Sequence, residues 1–324
     1  MGMKMGPYTI YGGELSYFTR KLEAAMIFYG ANFELKPKRD PSIEARSGTH
    51  QVPVLHTPEN WMIGDTTPLM SLLDGRFPGR AMFPDAQLGV LVHVLEEHLD
   101  EWIARTMVHY RWHYPQSAEF ASMKMAGGDP EVAQRVLNWG PRACRATGTE
   151  SEQQRQAAEE EYVRILAAAE AQLQSTTFLL GDRPTALDCV VLGGLRAHTN
   201  MDPTPKQVTA GYPSVVDWAE RRADLWDGSG ELAPFPESTP FARHILSEMP
   251  TTYKPYALAN RDAQAAGAKA FHTEIYAEDV SFLSRPYPEQ SRQMVIERIR
   301  RLNTSRRREV DDWLASQNLA DAFF

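Results

Sequence analysis

The 324-residue chain has room for two domains of roughly 150 residues each, and its 43% hydrophobic and 23% charged content excludes a fibre or a disordered tail. Thirty-four Lys and Arg against 42 Asp and Glu leave a net charge of −8, which suits solubility and argues against nucleic-acid or anionic-membrane binding. Met1 to Tyr8 lacks the apolar core of a signal peptide, and no apolar run approaches the roughly 18 residues of a membrane helix, so a cytoplasmic protein is expected. The two cysteines, Cys144 and Cys189, have no partner at metal spacing, which excludes a disulfide framework and a cysteine zinc site.

Tyr8 to Tyr11 is a β-rich run ended by Gly12-Gly13. The spacing of Phe18, Leu22, Ala25, Met26 and Tyr29 predicts a helix from Ser16 to Tyr29, with Gly30 as its stop. Phe33 to Leu35 and Gln51 to Leu55 are further strands, and the turn at Pro58-Glu-Asn60 makes Val54 to Ile63 a hairpin. Asp65-Thr66 then opens a helix with Pro68 in its first turn and Leu69, Leu72 and Leu73 on its buried face. This order describes a small α/β domain.

From Asp85 onward only helices are predicted. Ala86 to Tyr114 has helical apolar spacing as one long helix, and Glu150 to Gln174 forms a second whose acidic start suits the helix dipole. Thr185-Ala-Leu-Asp188 has the pattern of a capping box ahead of a helix through Leu195, and Pro213 to Leu225 forms another. A loop over Trp226 to Pro240 precedes helical segments at Tyr256 to Ala270, Pro288 to Leu302 and Ser305 to Leu314.

Three places carry chemistry. Ser16 stands at a helix N-terminus, where free N–H groups and the dipole favour an anion; its hydroxyl either caps the helix or donates to a bound thiolate, with Tyr11, Tyr17 and Thr19 as rival hydroxyls. Pro53 cannot donate to a sheet, so Val52-Pro53 marks an edge or a cis bond whose backbone can pair with a peptide-like ligand. Asp65 and Thr66 either cap their helix or hold an ammonium and a carboxylate.

In this order and approximate spacing, Ile10-Tyr-Gly12, Ser16 to Lys21, Gln51 to Leu55 and Asp65-Thr66 resemble the N-terminal domain of glutathione transferases, built on the thioredoxin fold. Leu180 to Asp188 and Tyr212 to Trp218 resemble the family's second domain, and the likeness spans residues 7 to 225. It implies an α/β plus all-α fold: a thioredoxin-like glutathione-binding domain over 1–84, an all-helical domain lining the electrophile site over 85–234, and a helical extension over 235–324. It also implies that Ser16, with Tyr11 as alternative, activates glutathione as co-substrate. Val52 would pair with the cysteinyl part beside cis-Pro53, Asp65 and Thr66 would hold the γ-glutamyl end, and Gln51 would contact the glycine end. Two departures stand out: Tyr17 follows Ser16 where many relatives have Pro, and Asp-Thr replaces the commoner Glu-Ser.

The likeness further implies a homodimer, no metal, and an electrophile wall of Met107, Tyr110, Trp112 and Tyr114 at the end of the long helix. His109 and His113 have i, i+4 metal spacing but no evident third ligand. Arg292, Arg298, Arg300, Arg301 and Arg306 to Arg308 are expected on the solvated face of the last helices, with Trp313, Leu314, Leu319, Phe323 and Phe324 docked on the helical domain. The expected activity is attack of glutathione on a small hydrophobic electrophile in detoxification. The alternatives are a binding or scaffold protein with little turnover and a glutathione-dependent thiol/disulfide oxidoreductase.

Overall fold

In the computed structural model, which describes residues 7–220 and 226–324, the short β runs of the N-terminal third pair into one sheet. Strands β1 (Tyr8–Tyr11), β2 (Phe33–Lys36), β3 (Val54–His56) and β4 (Met62–Gly64) lie in the order β2-β1-β3-β4. β1 and β2 are parallel, with Ile10 opposite Leu35, because α1 (Tyr17–Tyr29) carries the chain across between them. The other pairings are antiparallel, with Leu55 between Ile10 and Ile63. A short helix not expected from the sequence, α2 (Pro41–Ser47), is N-capped by Asp40, and α3 (Thr66–Arg76) follows β4.

The long helix predicted from Ala86 is interrupted. It comprises α4 (Ala86–Glu97), a π-helical turn (His98–Trp102) and α5 (Ala104–Trp112), with the Ile103 N–H reaching back to the His98 carbonyl at 3.1 Å. Short helices α6 (Pro115–Met125), α7 (Pro130–Leu137) and α8 (Gly140–Ala146) each begin with a proline in the first turn. α9 (Glu152–Leu173) and α10 (Ala186–Gly194) follow, the latter opened by the expected capping box: Asp188 accepts the Thr185 N–H at 2.7 Å and the Leu179 N–H at 2.9 Å. α11 (Pro203–Thr209) and α12 (Pro213–Glu220) complete this domain; the end of the helix expected over Pro213 to Leu225 lies outside the described residues. α1 packs directly on α10, and only a glycine fits at 193, where a Cβ would stand 2.7 Å from the Tyr17 carbonyl.

The extension is folded, though not wholly helical as expected. α13 (Pro240–Glu248) and α14 (Tyr253–Ala265) lead into a hairpin of β5 (Ala270–Ile275) and β6 (Glu278–Leu283), then α15 (Pro286–Arg300), α16 (Thr304–Ser316) and α17 (Ala320–Phe323). Phe271 and Ile275, and Val280 and Phe282, are the buried positions of a period-two pattern. The turn rests on Tyr276 and Ala277, both at positive φ, so it lacks the Asn-Gly or Asp-Gly signal that would have marked it. Trp313, Leu314, Leu319 and Phe323 are buried, whereas Phe324 is exposed. The arginine run is also divided: Arg292 is buried, paired with Glu289 and donating to the Ala322 carbonyl, and Arg298 lies over the Phe83 ring. The others face solvent.

Every residue from Gly89 to Asp100 is buried, because α4 is enclosed by α10 on one side and by α13, α15 and α16 of the extension on the other. Into this helix the N-terminal domain inserts Lys21 of α1, which has no exposed surface and contacts Glu96, Asp100 (2.6 Å) and the Thr67 hydroxyl (3.0 Å). Burial lowers the pKa of this ammonium, but Asp100 and Glu96 outweigh it and raise the pKa above its ordinary value. Replacing Lys21 by Met leaves the two buried carboxylates without their counter-ion, and urea unfolding should show a loss of about 3–5 kcal/mol. An unchanged denaturation midpoint would show that the cation does not hold the domains together.

Candidate active site

The strand ends, the start of α3 and the first residues of α15 meet around a cavity of about 390 Å³, within the range of small-molecule sites. Gln51, Val52, Pro53, Asp65 and Thr66 all line it, so five of the residues singled out in the sequence converge on one space. The Val52–Pro53 peptide is cis, and among the described residues the backbone N–H and C=O of Val52 have no hydrogen-bond partner. Such unpaired groups beside a cavity are a ready edge for an extended peptide. Thr66 is buried, while Asp65 holds φ at 65°, a conformation uncommon outside glycine.

Ser16 is the N-cap of α1, its Oγ accepting the Thr19 N–H at 3.2 Å. Capping uses the oxygen as acceptor and leaves the O–H free to donate, so the two roles weighed for this residue are compatible. The turn before it is gripped from the helical domain. Buried Arg111 of α5 donates to the Leu15 carbonyl at 2.7 Å and to the Ala197 carbonyl at 2.7 Å, and makes a two-point pair with Asp202 at 2.8 and 3.0 Å. Of the rival hydroxyls, Tyr17 is buried and donates to the Leu99 carbonyl at 2.9 Å, and Thr19 packs at Gly12 and Gly13. Tyr11 ends β1 with its ring stacked 6.4 Å from His56. Neither Ser16 nor Tyr11 is among the cavity-lining residues; Phe18 represents that segment there.

The residues expected as the electrophile wall are placed elsewhere. Met107 lines a separate, enclosed apolar cavity of about 30 Å³ with Tyr17, Leu99 and Leu195. Tyr110 is buried against Tyr162, the Tyr114 hydroxyl donates to Glu159 at 2.5 Å, and Trp112 packs on Gly140. The aromatic end of α5 is turned toward α8 and α9 because Arg111, in the middle of it, points to the Leu15 turn. His109 pairs with Glu159 at 2.7 Å and stacks on His113; among the described residues no three His, Cys, Asp or Glu side chains converge as a metal site.

In place of that wall, the cavity receives Asp100 and Glu101 from the π-helical turn and Arg285, Pro286 and Tyr287 from the extension, none of which sequence reasoning identified. The signal was weak: four acids at 96, 97, 100 and 101 look like the solvated stripe of a helix. Burial lifts Glu101 from 4.5 to about 7, with Arg285 of the extension opposing the shift, Asp100 beside it and Asp65 of the α3 start adding to it, and Lys21 of α1 again opposing. Asp65, open to the cavity yet closely surrounded by protein, is also raised, first by desolvation and then by Asp100. The folded state thus favours protonated Glu101; that stabilisation is complete below pH 4.5 and lost as pH rises through about 7. Melting temperatures across this window should fall more steeply for the unmodified chain than for Glu101→Gln, and parallel slopes would remove Glu101 as the cause.

Residues 120–225 match the family profile described as Glutathione S-transferase, C-terminal domain. No curated protein matches the sequence significantly. Among solved structures, beta-etherase LigF from Sphingobium sp. strain SYK-6 superposes with a TM-score of 0.50 at 14% identity, covering 69% of this chain and 97% of that one. A glutathione S-transferase from Rhodospirillum rubrum F11 gives 0.47 at 18% identity, covering 73% and 99%. Another, from Methylobacterium radiotolerans in complex with glutathione sulfonate, gives 0.44 at 18%, covering 69% and 92%. Among the described residues no helix is long and apolar enough to cross a membrane. Residues 120–225 thus form a glutathione S-transferase C-terminal domain, and they lie behind a four-stranded domain that presents its cis-proline edge to a ligand-sized cavity.

Proposed function

We propose that the protein is a glutathione transferase, acting in cytoplasmic detoxification by activating the glutathione thiol for attack on a small hydrophobic electrophile. The observation that carries this reading is the convergence of the unpaired Val52 backbone, Gln51, Pro53, Asp65 and Thr66 on one cavity. An extended tripeptide would pair its cysteinyl backbone with Val52. It would place its γ-glutamyl ammonium at Asp65 and the adjoining carboxylate at Thr66 and the first N–H groups of α3, and bring its glycine end to Gln51. The thiol then lies toward the start of α1, where the helix dipole and the Ser16 O–H stabilise a thiolate, lowering a pKa that is about 8.5 in free thiols. The thiolate attacks the electrophilic centre directly, displacing a leaving group or adding to an activated double bond. Phe18, Pro286 and Tyr287 supply the apolar surface available to such an electrophile.

The thiol/disulfide reading has no support at the site: the cysteines are Cys144, partly buried, and Cys189, fully buried, and neither lines the cavity. The reading as a binding protein with little turnover is favoured by one observation, that neither Ser16 nor Tyr11 lines the cavity. A homodimer would have to use a surface other than α4, which the extension encloses.

Calorimetry with reduced glutathione tests the binding half. Asp65→Ala should weaken affinity about 10- to 150-fold, the worth of one charge-assisted hydrogen bond of about 1.5–3 kcal/mol, and an unchanged affinity would remove the assignment. Thiolate absorbance tests the chemical half. The bound thiol's pKa should rise more in Ser16→Ala than in Tyr11→Phe; the reverse order would make Tyr11 the activating hydroxyl, and no thiolate near neutral pH would favour the binding protein.

A further inference from the structure

Arg285 reaches the cavity from outside the two domains that form the rest of it, and it is held there in a way that an incidental surface arginine is not. Its backbone is clamped by buried Asn260 of α14, whose Nδ2 donates to the Arg285 carbonyl at 2.9 Å and whose Oδ1 accepts the Arg285 N–H at 3.0 Å. Pro286 restricts the backbone of Arg285, the residue before it, to the extended conformation it has here. The guanidinium is aimed by Tyr256, to whose hydroxyl Nη2 donates at 2.7 Å; the same nitrogen lies 3.5 Å from Glu101. Nε, sequestered from solvent, and Nη1, which is accessible, have no acceptor among the described residues, so Nη1 is the N–H open to a ligand. A pre-oriented guanidinium with an unused N–H is the donor half of a carboxylate contact.

The groups beside it complete the pattern. Asp65 and Asp100 line the same cavity, so carboxylates stand next to a guanidinium in one small space. An ammonium and a carboxylate on one carbon, the head of an α-amino acid, match that arrangement. We propose that Arg285 is a specificity-determining residue that binds the α-carboxylate of the ligand's amino-acid head, shared with Thr66, while Asp65 and Asp100 take the ammonium, so that the extension is part of the ligand site. This rests on the glutathione reading above and adds to it a contact from residues beyond the two-domain unit.

The test is calorimetry on the full chain with two probes: S-methylglutathione, and the same tripeptide with 4-aminobutyryl in place of γ-glutamyl, which lacks only the α-carboxylate. The unmodified chain should prefer S-methylglutathione by about 10- to 150-fold. Arg285→Gln should lose most of this preference by weakening S-methylglutathione alone, keeping only the part that Thr66 supplies. If Arg285→Gln keeps the full preference, or weakens both probes by the same factor, the inference fails while the glutathione reading stands. If the unmodified chain binds neither probe, both fail. Should Arg285→Gln not fold, Arg285→Lys keeps the charge but loses the fork and must still reduce the preference; an undiminished preference in it overturns the proposal.

Discussion

The buried ammonium of Lys21 ties the N-terminal domain to the helical one. It sits on the helix that follows β1, yet its acidic partners lie on α4 and the π-helical turn of the other domain. Burying a cation is costly unless it is paired, so α1 cannot separate from α4 without stranding charge on both sides. The close contact of α1 with α10, permitted by Gly193, and the bond from the Tyr17 hydroxyl to the Leu99 carbonyl act at the same joint. Together they set the angle at which the Ser16 turn faces the helical domain. Tyr17 contributes its hydroxyl to the joint and has none left for a ligand.

The acids of α4 and the turn after it divide their partners by direction. Glu96 and Asp100 face the N-terminal domain through Lys21, whereas Glu97 accepts the Tyr253 hydroxyl at 2.9 Å and pairs with Ser291, and Glu101 meets Arg285. A regular helix would rotate these side chains by 100° per residue; the wider π turn slows that rotation at Asp100 and Glu101. One short stretch of chain therefore serves both neighbours and leaves the cavity between them. Burial lifts Glu96 from 4.5 to about 7, as it does Glu101, so the junction is strongly acidic but hard to ionise completely.

The extension makes helix α4 an interior element. Its hairpin packs Phe271 and Phe282 against Tyr256, and the Tyr276 hydroxyl reaches Glu161 of α9 at 2.5 Å, so it is bound to the helical domain by aromatic and polar contacts alike. Arg285 leaves this anchored unit directly after β6, which gives its guanidinium a fixed base rather than the freedom of a terminal segment.

Elements whose cause is local can be read from the residues alone. Gly12-Gly13 ends β1, Ser16 and the Thr185–Asp188 pair cap their helices, and the Pro58-Glu-Asn60 turn brings β4 back on β3, each through neighbours in the chain. The cavity-lining residues Gln51, Val52, Pro53, Asp65 and Thr66 were legible for the same reason, since they stand at strand and helix ends that local pattern marks. Contacts between distant segments set the rest. Whether Lys21 or Arg292 is solvated or buried, which way the aromatic end of α5 turns, and which residues close the cavity follow from packing across about 75 to nearly 200 residues of chain, as the partners Lys21 with Glu96 and Arg285 with Glu101 show. A charged side chain carries the same letter on a wet surface and in a paired interior, and only the arrival of its counter-ion distinguishes them.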